Sequence, residues 1–448
     1  MNRSRTRARG AIALGMMLTT AALATAARAE EPRPCTLGDC VDEALRHGSD
    51  LKGKDAAIDA ARAGKDALRG NYGPKLMADG GVQVWDSQLD ANFDVGIPGL
   101  EIPPTVVREQ VTWQVNLTLA QPLSGLWQIY EANELAALGV DVARLEREAA
   151  TVQRAMSVTE AWLTAVLADD LVQVRKTSLE ARTSDRERAA SLVKAGVIVE
   201  ADLLRADLGV TQARQALALA ERQSTLARAR LSQLVGARVA PIAGAPTMRE
   251  VTSLEAAKKA ALETRIELEQ LRTRVQQART AVDLAWSKMA PNVNFVAQAQ
   301  FARASTFGED AAAFIGLTFD WTLWEWGATK YGIDEARARV REVEAGLVQL
   351  EEGIALEVEA AWVEHASAVD QAALAKEAVR VAEANYALVR KRFDAKAATS
   401  FDLVEAETEL TKAKTDEKMA LVNGLIARAR LAKAMGKGAK DIAREGTP

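Results

Sequence analysis

Residues Leu226–Gly236 read LARARLSQLVG, and residues Ile426–Gly436 read IARARLAKAMG. The letters ARARL and the glycine that closes each stretch recur at a spacing of 200 residues. Further identities keep that spacing: Ala161-Trp162 with Ala361-Trp362, Asp202-Leu203 with Asp402-Leu403, and Ala206 with Ala406. Such a series of matches in register predicts that the chain contains two copies of one unit.

The two copies differ by one insertion. Upstream of Ala161 the spacing of the matches becomes 217, because Leu37, Ala44-Leu45, Leu51, Ala61 and Pro74 match Leu254, Ala261-Leu262, Leu268, Ala278 and Pro291. The additional residues of the first copy are expected within Asp86–Gln110, whose prolines and glycines indicate a loop. The first copy is predicted to cover residues 36–240 and the second residues 253–440.

Both copies contain the pattern of long coiled-coil helices. A seam of positions spaced alternately by three and four residues runs from Leu203 to Leu234 and again from Leu403 to Ala434. Gly236 and Gly436 follow these seams and are the expected C-terminal caps. Proline-free segments precede each seam and predict helices over Leu126–Lys194 and Glu325–Asp394, each about 100 Å long at ~1.5 Å per residue.

Four short segments instead alternate apolar and polar residues, which is the strand period. They predict strands at about 76–86, 110–123, 292–302 and 312–323. Each is about ten residues long, which is the length of a tilted strand that crosses a bilayer. Several tryptophans lie near the strand ends, as is typical of a bilayer interface. A four-stranded sheet in a soluble domain would show the same alternation.

The N-terminus has the pattern of an export signal. Four arginines precede an apolar stretch, and Ala27-Arg28-Ala29 fits a cleavage site, so residues 1–29 are predicted to be a signal peptide. Cleavage would change the net charge from −4 to −9, because the segment holds five arginines and no acid. An acidic mature chain argues against nucleic acid as a partner.

The sequence offers no pattern that indicates a catalytic, cofactor or metal site. Cys35 and Cys40 are the only cysteines, and in an exported protein they are expected to form a disulfide. His47 and His365 are the only histidines and are expected to be partly exposed surface residues. Since no nucleophile motif, phosphate loop or ligand cluster is found, the chain is predicted not to be an enzyme and to need no cofactor.

The order of elements and the two hairpin turns resemble the TolC-like outer membrane efflux proteins. The turns read KAGVIVEADLLRA at residues 194–206 and FDAKAATSFDLVEA at residues 393–406. The second turn departs from the family pattern, because Lys396 stands where the family usually has glycine. The resemblance implies a mostly α fold with a small β part: a homotrimer with an α-barrel tunnel of coiled-coil hairpins joined to a 12-stranded transmembrane β-barrel.

The resemblance also implies the residues of an entrance. The acids Asp402, Glu405 and Glu409 share one helix face by their spacing, and the family places acids matching Asp402 and Glu405 at the pore constriction. An ordinary solvated helix face would show the same spacing. Asp202 occupies the matching place in the first copy, where it could pair with Arg205. The family often holds the entrance shut with links between a basic or aromatic residue before the second turn and an acid in the first. Phe393 and Ala398 stand at those positions here, so this sequence departs from the family's link.

Exposed residues at the turns are the expected docking site for a partner. The set comprises Gly196, Val197, Ile198, Ala397, Ala398 and Thr399. The partners implied are a periplasmic adaptor (a membrane fusion protein) and an inner-membrane transporter. Packing against the neighbouring hairpin is the other interpretation of the apolar run that starts at Val197.

Two functions follow from these patterns. The first is an outer membrane exit duct of a tripartite efflux pump or a type I secretion system, in contact with outer membrane lipid and extending into the periplasm. The alternative is a structural or periplasmic adaptor coiled-coil protein without a pore. A stalk would lack the strands, and an adaptor would carry one hairpin within β-rich domains.

Overall fold

A computed structural model describes residues 32–91, 96, 104–242, 253–303 and 309–447. The predicted signal peptide, residues 1–29, lies outside the described residues. The described chain is mostly helical with few strands, as the sequence predicted.

The elements of the first half end at residue 241. They are β1 (Arg33–Cys35), α1 (Leu37–His47), α2 (Ser49–Arg69), β2 (Lys75–Val84), β3 (Leu89–Ala91), β4 (Thr105–Arg108), β5 (Val111–Pro122), α3 (Leu126–Lys194), α4 (Glu200–Val235) and β6 (Val239–Pro241). The elements of the second half are α5 (Leu254–Thr264), α6 (Ile266–Ser287), β7 (Asn292–Arg303), β8 (Ala311–Asp320), α7 (Ala328–Asp394), α8 (Ser400–Ala434) and α9 (Ala439–Gly446).

Two long helical hairpins dominate the molecule. The helix α3 has 69 residues and packs along α4, while α7 has 67 residues and packs along α8. All twenty seam positions predicted on α4 and α8 are buried or half-buried. The helix α7 starts at Ala328 rather than at the predicted Glu325, because Trp326 and Gly327 have left-handed backbone angles that interrupt a right-handed helix. No helix among the described residues combines the length and the apolar composition that a membrane crossing requires.

The four long strands form one antiparallel sheet in the order β2-β5-β7-β8. The register places Leu117 opposite both Ala78 and Ala299, and Ala297 opposite Ile315, so residues at matching positions share a face. One face is apolar and exposed, with Leu76, Val82, Val115, Leu117, Phe301, Ile315, Leu317 and Phe319. The other is mostly polar and includes a hydrogen bond of 2.8 Å from Asn116 Nδ2 to Asp79 Oδ2. Within the described chain, β2 and β8 leave the outer edges of this sheet unpaired.

Two small pairings were not predicted. The strands β3 and β4 pair antiparallel inside the segment expected to be a loop, where the β-branched residues of Thr105–Val107 favour a strand. The strands β1 and β6 pair parallel and join the N-terminal segment to the chain beyond α4. The second pairing connects residues about 200 positions apart, so no local pattern could indicate it.

The main core lies where α1 and α9 pack against the hairpin helices α3, α4 and α8. Trp162 of α3 is fully buried there, and its Nε1 donates a hydrogen bond of 3.1 Å to the carbonyl oxygen of Cys35. The Sγ atoms of Cys35 and Cys40 are joined in this core. The expectation of a partly exposed His365 is wrong, because that side chain on α7 is only 2% exposed.

Candidate entrance at the hairpin tips

The first hairpin turn is a helix stop built on glycine. Gly196 follows α3 with φ of 69°. The N–H of Val197 donates to the carbonyl of Leu192 at 2.9 Å, and the N–H of Gly196 donates to the carbonyl of Val193 at 2.9 Å. These two bonds form a Schellman motif, which satisfies the last carbonyls of a helix and needs a left-handed residue. Gly196 therefore reverses the chain without steric cost.

The second turn has the same hydrogen bonds but no glycine. Lys396 has φ of 62°, and Ala397 donates to the carbonyl of Arg392 at 2.7 Å. The N–H of Lys396 donates to the carbonyl of Phe393 at 3.0 Å. The two predicted tips thus share one backbone shape, and Lys396 holds it against the steric penalty of its Cβ.

The predicted docking residues differ in exposure. Gly196 and Ala397 are exposed, whereas Val197, Ile198 and Ala398 are half-buried. The most exposed apolar side chain of the first turn is that of Val199, which precedes α4. The apolar run at the first tip is thus only partly available to a partner.

The second tip starts α8 with a capping box. Thr399 is the N-cap, and its Oγ1 accepts from the N–H of Asp402 at 3.2 Å. In return the Asp402 carboxylate accepts from the N–H of Thr399 at 2.7 Å and from its hydroxyl at 2.9 Å. The backbone bond from Thr399, with the hydroxyl bond after it, holds the pKa of the Asp402 carboxyl below its usual range. Two predicted site residues therefore cap a helix, while the neighbouring Glu405 is exposed.

Asp202 connects the two tips. Its Oδ1 accepts from the hydroxyl of Ser400 at 2.5 Å, and Ser400 lies in the first turn of α8. The predicted pairing with Arg205 is present at 3.4 Å between Oδ1 and Nη1. Both partners of this ion pair are partly exposed, so it stabilises the fold by less than ~1 kcal/mol.

A buried ion pair joins the hairpins deeper in the structure. The carboxylate of Glu407 on α8 accepts from Arg182 Nε at 2.5 Å and from the hydroxyls of Ser178 at 2.6 Å and Thr411 at 2.7 Å. Glu407 is 2% exposed. A Cβ at Gly209 of α4 would lie 3.2 Å from Arg182 Nη1, so this glycine leaves room for the guanidinium. Sequence patterns missed Glu407, although a glycine inside a long helix is a signal of close packing.

A second polar link lies one turn nearer the tips. Tyr386 of α7 donates its hydroxyl to Asp185 Oδ2 of α3 at 3.0 Å. Burial raises the pKa of the Asp185 carboxyl above its ordinary value, and burial with the nearby Asp185 carboxylate raises the pKa of Tyr386 to about 12. Arg188 reaches Asp185 at 3.4 Å and Asp394 at 3.5 Å.

These contacts form a polar seam between the hairpins. We use this name for the links Ser178–Glu407, Arg182–Glu407, Asp185–Tyr386, Arg188–Asp394 and Asp202–Ser400. The buried residues within the hairpins include apolar ones such as Ala206 and Leu403, and the first hairpin also holds a hydrogen bond of 2.6 Å from the Ser224 hydroxyl to Asp169 Oδ1. An apolar contact keeps two helices together, whereas polar links can exchange their partners for water. Farther from the tips, apolar side chains also join the hairpins, as at Met156 of α3 and Ala429 of α8.

Comparison with known proteins identifies the family. The model of the family described as outer membrane efflux protein matches residues 40–237 and 258–437. The chain belongs to the outer membrane efflux protein family. Membership places this protein in the outer membrane as an exit duct whose helices extend into the periplasm. The sequence predictions of family, location and duct function are confirmed by this match.

Solved structures share the fold at low identity. The outer membrane protein VceC of Vibrio cholerae is 17% identical, with a TM-score of 0.72 over 90% of this chain and 96% of that chain. The CmeC outer membrane channel of Campylobacter jejuni is 16% identical, with a TM-score of 0.73 over 92% of this chain and 89% of that one. The open-state MtrE outer membrane channel of Neisseria gonorrhoeae is 17% identical, with a TM-score of 0.71 over 90% and 89%. No protein of curated function matched the sequence.

Proposed function

We propose that three copies of this outer membrane efflux protein assemble into one continuous duct that is passive and not an enzyme. In this assembly, twelve strands close a transmembrane β-barrel, and the hairpins form an α-barrel tunnel through the periplasm. Each chain contributes two structural repeats, residues 36–240 and 253–440, and the hairpin tips form the inner entrance. The duct serves a tripartite efflux pump or a type I secretion system.

The observation that carries this proposal is the sheet. Its apolar face is largely exposed at Leu76, Ile315 and Phe319, whereas the opposite face carries Asp79 and Asn116. A sheet with an apolar face outside and a polar face inside matches a barrel that has lipid around it and water within it. Four strands with two open edges cannot close such a barrel, but three copies supply twelve.

The hairpin tips carry the residues that we assign to the constriction and to the contact with a partner. Asp402, Glu405 and Asp202 are proposed to surround the constriction, where rings of carboxylates favour cations. Gly196, Val197, Ile198, Ala397, Ala398 and Thr399 are proposed to contact a periplasmic adaptor, with an inner-membrane transporter beyond it. Two similar tips per chain give six tips in a trimer, which suits an adaptor of sixfold symmetry.

Fractionation tests the proposal. The mature protein is expected in the outer membrane fraction, and in mild detergent it should migrate as a trimer that converts to a monomer on heating. The alternative, a coiled-coil protein without a pore, predicts a soluble periplasmic species and no conductance in planar bilayers. Recovery of a soluble monomer would exclude the duct.

A further inference from the structure

A second heptad pattern runs along α7 on the side opposite its buried residues. From Leu356 to Leu388 the positions step alternately by four and three residues, and every one of them is exposed. We call these positions the open seam. Such a pattern is typical of a face that packs against another helix, whereas α8 covers the side of α7 that carries Ile354 and Val358. The large apolar side chains of the open seam are each more than half exposed: Leu356, Val363, Leu374, Val381 and Leu388.

The helix α4 carries a similar surface on the side opposite its buried residues, such as Ala206. Exposed positions recur there every three or four residues from Leu204 to Leu226, and we call them the leucine stripe. Leu204, Leu208, Leu219 and Leu226 are each more than half exposed, although leucine gains much from leaving water. Exposed apolar surfaces of this extent indicate interaction sites.

The two surfaces lie on opposite flanks of the chain. The helix α3 packs against both α4 and α8, and α8 packs against α7, so α4 and α7 are the outermost of the four. The helix α2 continues the line of α4, because Arg154 of α3 binds both Asp50 of α2 and the carbonyl oxygen of Leu234 of α4. The edge strand β2 follows α2, and the edge strand β8 precedes α7. Pairing these two strands between copies would therefore bring α7 of one copy to α4 of the other.

The two surfaces also match in their level above the hairpin tips. The tips lie side by side, because Ser400 donates to Asp202 across them. Leu219 lies 19 residues after the first residue of α4, and Leu374 lies 20 residues before the last residue of α7. Arg222 and Asp370 follow at 22 and 24 residues, which places them about 33 and 36 Å along their helices from the tips. Copies related by rotation about one axis keep these levels, so the two residues would meet.

The charges of the two surfaces are complementary. Arg222 is the charged residue of the leucine stripe, and the open seam carries the acids Asp370 and Glu377. Glu377 already pairs with Arg380 of its own helix at 2.6 Å. By contrast, the residues three and four positions before and after both Arg222 and Asp370 are uncharged. Within the described part of the chain, neither of these two side chains forms an ion pair or a hydrogen bond.

We propose that the open seam of α7 packs against the leucine stripe of α4 in a second copy of the chain, where Asp370 of one copy pairs with Arg222 of the other. This contact rests on the proposed trimer, since a head-to-tail contact leaves no flank uncovered only when the copies close into a ring. The leucines supply most of the buried apolar area. The ion pair selects the register of the two helices, because a slipped register would bury both charges unpaired. The chain thus favours a copy of itself over a wholly apolar helix.

Charge reversal tests the pair in the full mature protein. Arg222→Glu and Asp370→Arg each place like charges against one another, so in mild detergent the trimer should convert to monomer at a lower temperature than the wild-type trimer. The double variant Arg222→Glu with Asp370→Arg restores opposite charges and should recover most of the wild-type conversion temperature. Arg214→Glu is the matched control, because Arg214 is an exposed arginine of α4 about a quarter of a turn from the leucine stripe. It should leave the trimer unchanged.

Two results of this experiment would overturn the pair. One is a double variant that is no more stable than the single variants, which would show that the two residues do not act on each other. The other is single variants that behave like Arg214→Glu, which would show that neither charge lies in a contact.

Cross-linking tests the contact without a reversed charge. Arg222→Cys is made in one copy of the chain and Asp370→Cys in a second copy with a tag of different mass, and both are produced in the same cells. A short bis-maleimide should join the two species into a heterodimer, whereas Arg214→Cys in place of Arg222→Cys should give little of this product. Absence of the heterodimer, when the wild type is trimeric, would refute this contact alone. A wild type that remains monomeric would exclude the proposed duct and the contact with it.

Discussion

At the scale of single residues, the two hairpin turns differ at the left-handed position that follows each long helix. Gly196 occupies it in the first turn and Lys396 in the second, with the same pair of backbone hydrogen bonds around each. A Cβ in this conformation costs about 1 kcal/mol or more, so the second turn is the less stable of the two.

Substitutions at these two left-handed positions should therefore change the stability of the protein in opposite directions. Lys396→Gly is expected to raise the free energy of unfolding by about 1 kcal/mol, whereas Gly196→Ala should lower it by about as much. Urea titration of the detergent-solubilised protein measures both. Equal effects of one sign would show that neither turn is limited by its backbone angle.

The disulfide is also a property of single residues. Cys35 and Cys40 lie 5.8 Å apart at their Cα atoms in the buried core around Trp162. We predict that both thiols of the exported protein resist alkylation until a reductant is added, as measured by mass spectrometry. Because the loop is short, loss of the bond should cost no more than about 2 kcal/mol. Two alkylated thiols in native protein would contradict the prediction.

At the scale of elements, the polar seam joins the two hairpins near their tips, and apolar contacts such as that of Met156 with Ala429 join them farther from the tips. The polar seam crosses from α3 and α4 to α7 and α8, and its most buried ion pair is Arg182–Glu407. A buried pair adds little net stability compared with apolar residues, but the loss of one partner leaves an uncompensated charge. The pair therefore selects the axial alignment of one hairpin against the other.

Removing one charge or both should separate the cost of an uncompensated buried charge from the small net contribution of the pair. Arg182→Met is expected to cost about 3–5 kcal/mol, and the double variant with Glu407→Leu should recover most of that loss. Arg186→Met is the matched control, since Arg186 lies one turn further along α3 and pairs with Asp207 in a more exposed position. Thermal melts followed by circular dichroism measure all three. A double variant as unstable as Arg182→Met would contradict an ion-pair role.

The Asp185 link should make stability depend on pH. Burial raises the pKa of its carboxyl in the folded protein above the ordinary 3.8, although Tyr386, Arg390 and Arg188 act against that shift, and Glu407 adds to it. The folded state therefore favours the protonated acid, and its contribution to stability is lost as the pH rises through the folded pKa. Asp185→Asn keeps an acceptor for Tyr386 and should make the free energy of unfolding depend less on pH above the ordinary carboxyl pKa of 3.8. An unchanged pH profile would show that Asp185 does not titrate in this range.

At the scale of the whole molecule, the entrance depends on assembly. Three copies of Asp402 and Glu405 would bring six carboxylates around one axis, which attracts cations. Glu405→Gln with Asp402→Asn should lower the cation selectivity of single channels and weaken their block by multivalent cations from the periplasmic side. Asparagine retains an acceptor for the N–H of Thr399, so the capping box and the assembly should survive. Unchanged selectivity and unchanged block would leave these acids as an ordinary solvated face.

The sequence by itself determined the elements of this protein. The three-four spacing predicted both coiled-coil helices, and alternation predicted four strands within one or two residues of their observed bounds in most cases. These features depend on neighbours along the chain, because each period is set by the local geometry of a helix or a strand. The likeness of the turns at 194–206 and 393–406 to one family also predicted the membership that the family match confirmed.

Only the tertiary structure decided which polar groups meet. Ser178 and Glu407 are 229 residues apart, and Asp202 and Ser400 are 198 apart, so their contacts depend on how one hairpin lies along the other. The same packing buries His365, which the sequence placed at the surface. The capping role of Asp402 was missed for another reason, because only its spacing to Glu405 was considered, although Thr399 three residues before it forms the sequence pattern of a capping box. A local period fixes the face of a residue, but only the packing of distant segments fixes what that face touches.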